Sequence, residues 1–140
     1  MRNILFVIDR DFASNSAVHV SALANELCLL GMDCAVAVPG NKQSIAQCGD
    51  VLYQALEFSE ASRVNERFAN GKGPDAVHSW TPREIVRKFC VGLRQEFEFK
   101  QFIHLEDNEE LLIEKLRAIP GESDESGYPQ QLSHPVRYRE

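Results

Sequence analysis

Residues 4–8, ILFVI, form an unbroken apolar run rich in β-branched side chains, with no polar residue at any alternate place. A strand with one wet face alternates, whereas a continuous run needs cover on both faces, as in a parallel sheet with helices above and below it. From Ser16 the period changes: Val20, Leu23, Leu27 and Leu30 recur at helical spacing, and Gly31 stands where such a helix would end. A second strand is expected over residues 34–38, closed by Pro39 and Gly40, and a third over residues 51–56. A fourth is expected over residues 76–79 and a fifth in KQFIHL, residues 100–105. Between them SEASRVNERFAN, residues 59–70, reads as a short helix before the loop GKGP. TPRE, residues 81–84, reads as a helix start, with Thr81 as cap, Pro82 at the first helical position and Glu84 reaching back. Ile85, Phe89 and Leu93, four apart, give that helix its buried face up to about Glu96. EELLIEKLRAI, residues 109–119, is expected to be a last helix, stopped by Pro120 and Gly121. Strands alternating with helices in this way define an α/β fold of βαβ units around a parallel sheet.

The bulk properties narrow the function. The 140 residues suffice for one domain that buries about two thirds of the surface of its unfolded chain. With 44% hydrophobic and 26% charged residues the composition is globular. A net charge of −6 argues against nucleic acid as a partner, because phosphate recognition needs clustered Lys and Arg. No apolar run approaches the roughly 20 residues of a membrane-spanning helix. The opening MRNILFVIDRD differs from a signal peptide in that Asp9, Arg10 and Asp11 cut its apolar stretch short. Cys28, Cys34, Cys48 and Cys90 show no Cys-x-x-Cys spacing, which points away from a zinc site or disulfide framework and towards reduced thiols in the cytoplasm. Residues 120–140 are rich in Pro, Gly, Ser and charge and poor in aliphatic side chains, as expected of a loop or tail.

In an open parallel sheet the side chains just past the carboxyl ends of the strands share the edge at which ligands bind. Asp9 and Arg10 follow the first strand, His78 to Trp80 the fourth, and His104 to Glu106 the fifth. The loop DRDFASNS leads from a strand into a helix, where free N–H groups favour a phosphate or carboxylate. It has neither G-x-G-x-x-G nor G-K-[ST], so it is neither a dinucleotide fingerprint nor a P-loop. Ser14, Asn15 or Ser16 is expected to cap the helix, which is compatible with anion contact by the same backbone. His19, one turn in, reads as a packing or surface residue. Trp80, the only tryptophan, either covers core or offers a ring on which a sugar stacks. Arg83 lies in the first turn of a helix, where the dipole disfavours a cation; solvation or anion binding explains it. His78 serves equally as a structural histidine or a ligand contact. The pair His78 and His104 without a carboxylate at clear spacing is weak ground for a metal, so none is assigned.

Taken in order, ILFVID, SAVHVSALANELCLLGMDCAVAVP, DAVHSWTPREIVRKF and FIHLEDNEE resemble the N-terminal domain of retaining glycosyltransferases of the GT-B fold, the group 1 or family 4 transferases. The likeness spans roughly residues 3 to 119. It implies a Rossmann-like, doubly wound, mostly parallel sheet with helices on both faces. It also implies a cytoplasmic enzyme of carbohydrate biosynthesis, including one peripheral at the inner membrane surface, that moves a sugar from a nucleotide-diphosphate donor to an acceptor hydroxyl on a carbohydrate or lipid-linked acceptor. No cofactor or metal is required. Residues 1–119 would be the acceptor-side domain and 120–140 a loop or tail, with the nucleotide-sugar-binding C-terminal domain outside these 140 residues and no transfer by this part alone. Carried over residue by residue, Ser14, Asn15 and Ser16 mark the loop that approaches the donor phosphates, and His104 lies beside the reacting sugar. His78, Trp80, Arg83 and Glu106 fall on the acceptor side. Family members often have glycines in the first loop, and FASNSA has none.

In FIHLEDNEE, Asp107 and Glu110 have the form of a capping box and Glu109 adds charge that the helix dipole favours, which leaves His104 and Glu106 for chemistry. An imidazole at His104 can hydrogen-bond the donor sugar or position the acceptor. Two other classes compete. A flavodoxin-like or receiver-like binding module would gather acids after its first strand, as Asp9 and Asp11 do, but would end its fifth strand in Lys rather than His. A sugar epimerase of similar architecture would need a glycine-rich cofactor loop that this sequence lacks.

Overall fold

The computed structural model describes residues 2–81 and 83–105. The strands β1 (Asn3–Val7), β2 (Asp33–Val38), β3 (Gln54–Glu57), β4 (Ala76–Trp80) and β5 (Lys100–His104) form one sheet in the order β3-β2-β1-β4-β5. Every pairing is parallel. This is the doubly wound, Rossmann-like order, in which the chain winds outward from β1 in one direction and then returns to build β4 and β5 in the other. Flavodoxin-like and receiver-like domains have the order 2-1-3-4-5, so that form of the binding-module alternative does not describe this chain.

The continuous apolar run does what its lack of alternation requires. Leu5 and Val7 enter one core layer and Phe6 and Ile8 the other, all with no exposed surface. The first layer lies under helix α2 (Glu84–Leu93) and the 3₁₀ segment Phe58–Arg67, and includes Val77, Val86, Phe89 and Leu93. The second lies under helix α1 (Asn15–Leu29) and includes Val20, Ala24, Val36, Tyr53 and Trp80. Helices therefore cover both faces.

Several local expectations change. In α1 the buried positions are Ala17, Val20, Ser21 and Ala24, while Leu23 and Leu30 are exposed. Small residues let the helix axis approach the sheet, and Ser21 bonds the buried Tyr53 hydroxyl at 2.8 Å. Residues 51–53 precede β3 rather than belong to it, and Lys42–Cys48 forms a 3₁₀ segment that the sequence pattern did not indicate. The expected helix over residues 59–70 is the 3₁₀ segment Phe58–Arg67, interrupted by non-helical backbone at Glu60 and Arg63. A capping box between Glu57 and Glu60 starts it, and Glu60 is held by Lys42 and Arg67 at 2.8 and 2.6 Å. Those contacts, led by the hydrogen bond from Lys42, hold the Glu60 carboxyl below its ordinary pKa. Thr81 does not cap α2: the N-cap is Arg83, without a side-chain bond, and Thr81 has a left-handed φ of 64°. The roles expected of Pro82, of Glu106, Asp107, Glu109 and Glu110, of the helix over residues 109–119 and of the tail over residues 120–140 lie outside the described residues.

Candidate functional site

The parallel register sets the site. β4 pairs with β5 so that His78 lies opposite Phe102 and Trp80 opposite His104. Val77 and Ser79 point towards α2, where Ser79 meets Cys90 at 3.3 Å. His78 and Trp80 consequently point to the α1 side, and so do their partners on β5. At the carboxyl ends of these strands the rings converge. Trp80 and His104 stack at 3.8 Å between centroids with 8° between planes. His78 lies 5.3 Å from Trp80, 5.7 Å from His104 and 5.3 Å from Phe6. Burial, and next the charge on His104, lower the pKa of His78, so its imidazole is held neutral.

Beside this cluster is the point at which the strand order reverses, between β1 and β4. Asp9, just past β1, and Arg83, just past β4, bridge it with 3.6 Å between Oδ2 and Nε, their side chains only 10% and 15% exposed. The ion pair, rather than solvation, accounts for a cation at the start of α2. Thr81 joins the two halves of the rim: its N–H donates to the His104 carbonyl at 3.0 Å, and its own carbonyl accepts from Arg83 N–H at 3.0 Å. A β-branched residue in left-handed backbone stores about 1–3 kcal/mol, which persists only where the surroundings enforce it.

At the expected donor loop the capping role falls to Ser14. Ser14 is the N-cap of α1 and accepts from Ala17 N–H at 3.3 Å, while Asn15 and Ser16 are the first helical residues. Phe12 N–H donates to Ser44 Oγ, Ala13 N–H to Asp11 Oδ1 and Ser14 N–H to the Asp11 carbonyl. These bonds close the loop on itself, so the N–H groups of residues 12–14 are already committed. The structure thus brings His78, Trp80 and His104 together, sets Arg83 beside Asp9, and gives Ser14 to the helix cap. Glu106 lies outside the described residues.

Two members of the rim, His19 and Thr81, were not legible as such, and a third, Asp9, only in part. His19 on α1 is nearly parallel to Trp80, at 6.5 Å and 11°. Asp9 was placed on the edge by its position but not matched to Arg83, and Thr81 was read as a cap. A histidine five residues beyond the N-cap of the first helix is the only signal that could have marked His19. The described residues also enclose a shallow groove of about 440 Å³ between α2 and the 3₁₀ segment Phe58–Arg67, lined by Phe58, Ile85, Phe89 and Leu93. It lies on the opposite face of the sheet from the ring cluster and carries none of the rim residues. Among the described residues no set of three or more His, Cys, Asp or Glu is placed to hold a metal ion. None of their helices is long and apolar enough to cross a membrane.

Fold and rim together define an open α/β domain of Rossmann-like type, with an aromatic and imidazole cluster at its carboxyl edge. No family model matches the chain, and no curated protein matches it significantly.

Proposed function

We propose that this chain is the acceptor-side domain of a retaining glycosyltransferase and acts with a domain that binds the nucleotide-sugar donor. The observation that supports it best is the stacking of His104 on Trp80 at the carboxyl edge, 3.8 Å apart and beside the reversal of strand order. Ligands of open α/β sheets bind at such a reversal. Stacking fixes the plane of the His104 imidazole, so its nitrogens reach the edge in a defined direction. Retaining transfer needs a polar group held beside the sugar while positive charge develops there, without a fixed countercharge that would hold the product. His104 is the residue of the rim with that placement, and His78, held neutral, adds no charge behind it.

The fold alone carries no activity, because the same architecture hosts many chemistries. The test is transfer by the protein that joins this chain to its nucleotide-binding domain, followed by release of nucleoside diphosphate from a panel of nucleotide sugars. His104→Ala should lower kcat/KM by about 100-fold, the scale of losing one placed polar group at the reacting centre. Unchanged kcat/KM removes His104 from the chemistry, and turnover by the 140 residues alone overturns the division of labour between two domains.

A further inference from the structure

The ring of Trp80 is not open for stacking. His104 covers it at 3.8 Å, and His19 lies nearly parallel to it at 6.5 Å. His104 comes from β5, next to β4, and His19 from α1, so two separate elements bring an imidazole to the indole. With Trp80 only 6% exposed and His104 stacked on its ring, little of the indole face is open to a sugar. What remains is the indole N–H. Trp80 is 6% exposed, and its Nε1 is buried without a hydrogen-bond acceptor. An unmade bond of this kind costs about 1–3 kcal/mol, and native proteins keep few of them. Among the described residues, Tyr53, a buried aromatic with a polar tip on this side of the sheet, has its hydroxyl matched to Ser21. The Trp80 Nε1 donor stands at the ligand edge without an acceptor.

We propose that the Trp80 indole N–H donates a hydrogen bond to a neutral oxygen of the ligand, a hydroxyl or ring oxygen of a sugar, and not to a phosphate. The inference rests on the proposed function for the class of ligand, and on the local charges for the choice of oxygen. Arg83 is matched by Asp9 at 3.6 Å, the nearby His78 is held neutral by burial, and the indole itself carries no charge. A phosphate would call for a cation that Arg83, paired with Asp9, and neutral His78 do not supply, whereas a hydroxyl needs only the indole donor. Access to the indole is on the side of His19, which is exposed, while the stacked His104 stays in place.

Because Trp80 is the only tryptophan, a ¹⁵N-labelled chain gives a single indole N–H cross-peak, which reads this atom directly. Titration with neutral methyl glycosides should move that peak saturably, and inorganic pyrophosphate should leave it in place. Trp80→Phe, which keeps an aromatic ring and deletes the donor, should weaken glycoside binding about tenfold. If Trp80→Phe does not fold, the wild-type titration still decides. A peak that moves with pyrophosphate and not with glycosides overturns the proposal. If glycosides move the backbone amides of residues 9–13, Thr81 and Arg83 but not the indole, the indole role fails and the glycosyltransferase reading stands. If no resonance responds to glycosides, both fail.

Discussion

His78 shows how a single side chain joins stability to the site. Its imidazole lies between Phe6 and Trp80, and burial followed by the neighbouring His104 charge lowers its pKa below the ordinary 6.5. The unfolded chain then binds more protons than the folded one below that value. The stability contributed by neutral His78 is fully present above 6.5 and is lost as the pH falls through 6.5 towards the folded value. Thermal melts between about pH 7.5 and about pH 5.5 should show a larger loss for the wild type than for His78→Gln. Equal losses would assign the acid sensitivity to other groups. His78, Trp80 and His104 were legible in the sequence because each ends a short apolar run, and strand ends of a parallel sheet meet at one edge. His19 was not, because a histidine in an amphipathic helix looks the same whether it faces water or an indole. Arg83 was legible as an anomaly, a cation at a helix start, but its partner Asp9 is 74 positions away in the numbering and only folding brings the two together.

At the scale of elements, termini were easier to read than faces. Gly31 was expected to end α1, and it does so in a Schellman arrangement, with Met32 N–H bonded to the Leu27 carbonyl and Gly31 N–H to that of Cys28, both at 3.0 Å. Its φ is +84°, and a methyl group added there would meet nothing within 4 Å. Gly31→Ala should therefore cost about 1 kcal/mol through backbone strain alone, read by urea denaturation with an unchanged m-value. A loss several times larger would mean that the turn packs against something else. The buried face of α1 was misjudged because apolarity pointed to Leu23 and Leu30, whereas proximity to the sheet selects Ala17, Ser21 and Ala24. Thr81 was misjudged for a related reason. Thr-Pro-x-Glu is a capping sequence in isolation, but the N–H of Thr81 is taken by the last carbonyl of β5. A bond to another strand overrides a local preference worth about 1 kcal/mol. The 3₁₀ segment Lys42–Cys48 left no mark in the sequence pattern because its tighter winding produces no 3.6-residue stripe.

For the whole molecule, the reversal of strand order at β1 and β4 is both the architecture and the location of the rim, and the Asp9–Arg83 pair spans it. Removing one partner leaves the other charge poorly compensated in a nearly buried place. Asp9→Asn and Arg83→Gln should each cost about 2 kcal/mol, and the double variant less than their sum. Strict additivity in urea denaturation would show that the pair contributes nothing across the reversal. The α/β class and the helices on both faces follow from local pattern alone, because an unbroken apolar strand cannot be left wet on either side. So do the approximate spans of β1, β2, β4 and β5. The strand order, the stacking of His104 on Trp80 and the matching of Asp9 with Arg83 emerge only on folding. Periodicity reports which side of an element is apolar, while these features depend on which strands become neighbours, a relation between residues far apart in the chain that no local pattern encodes.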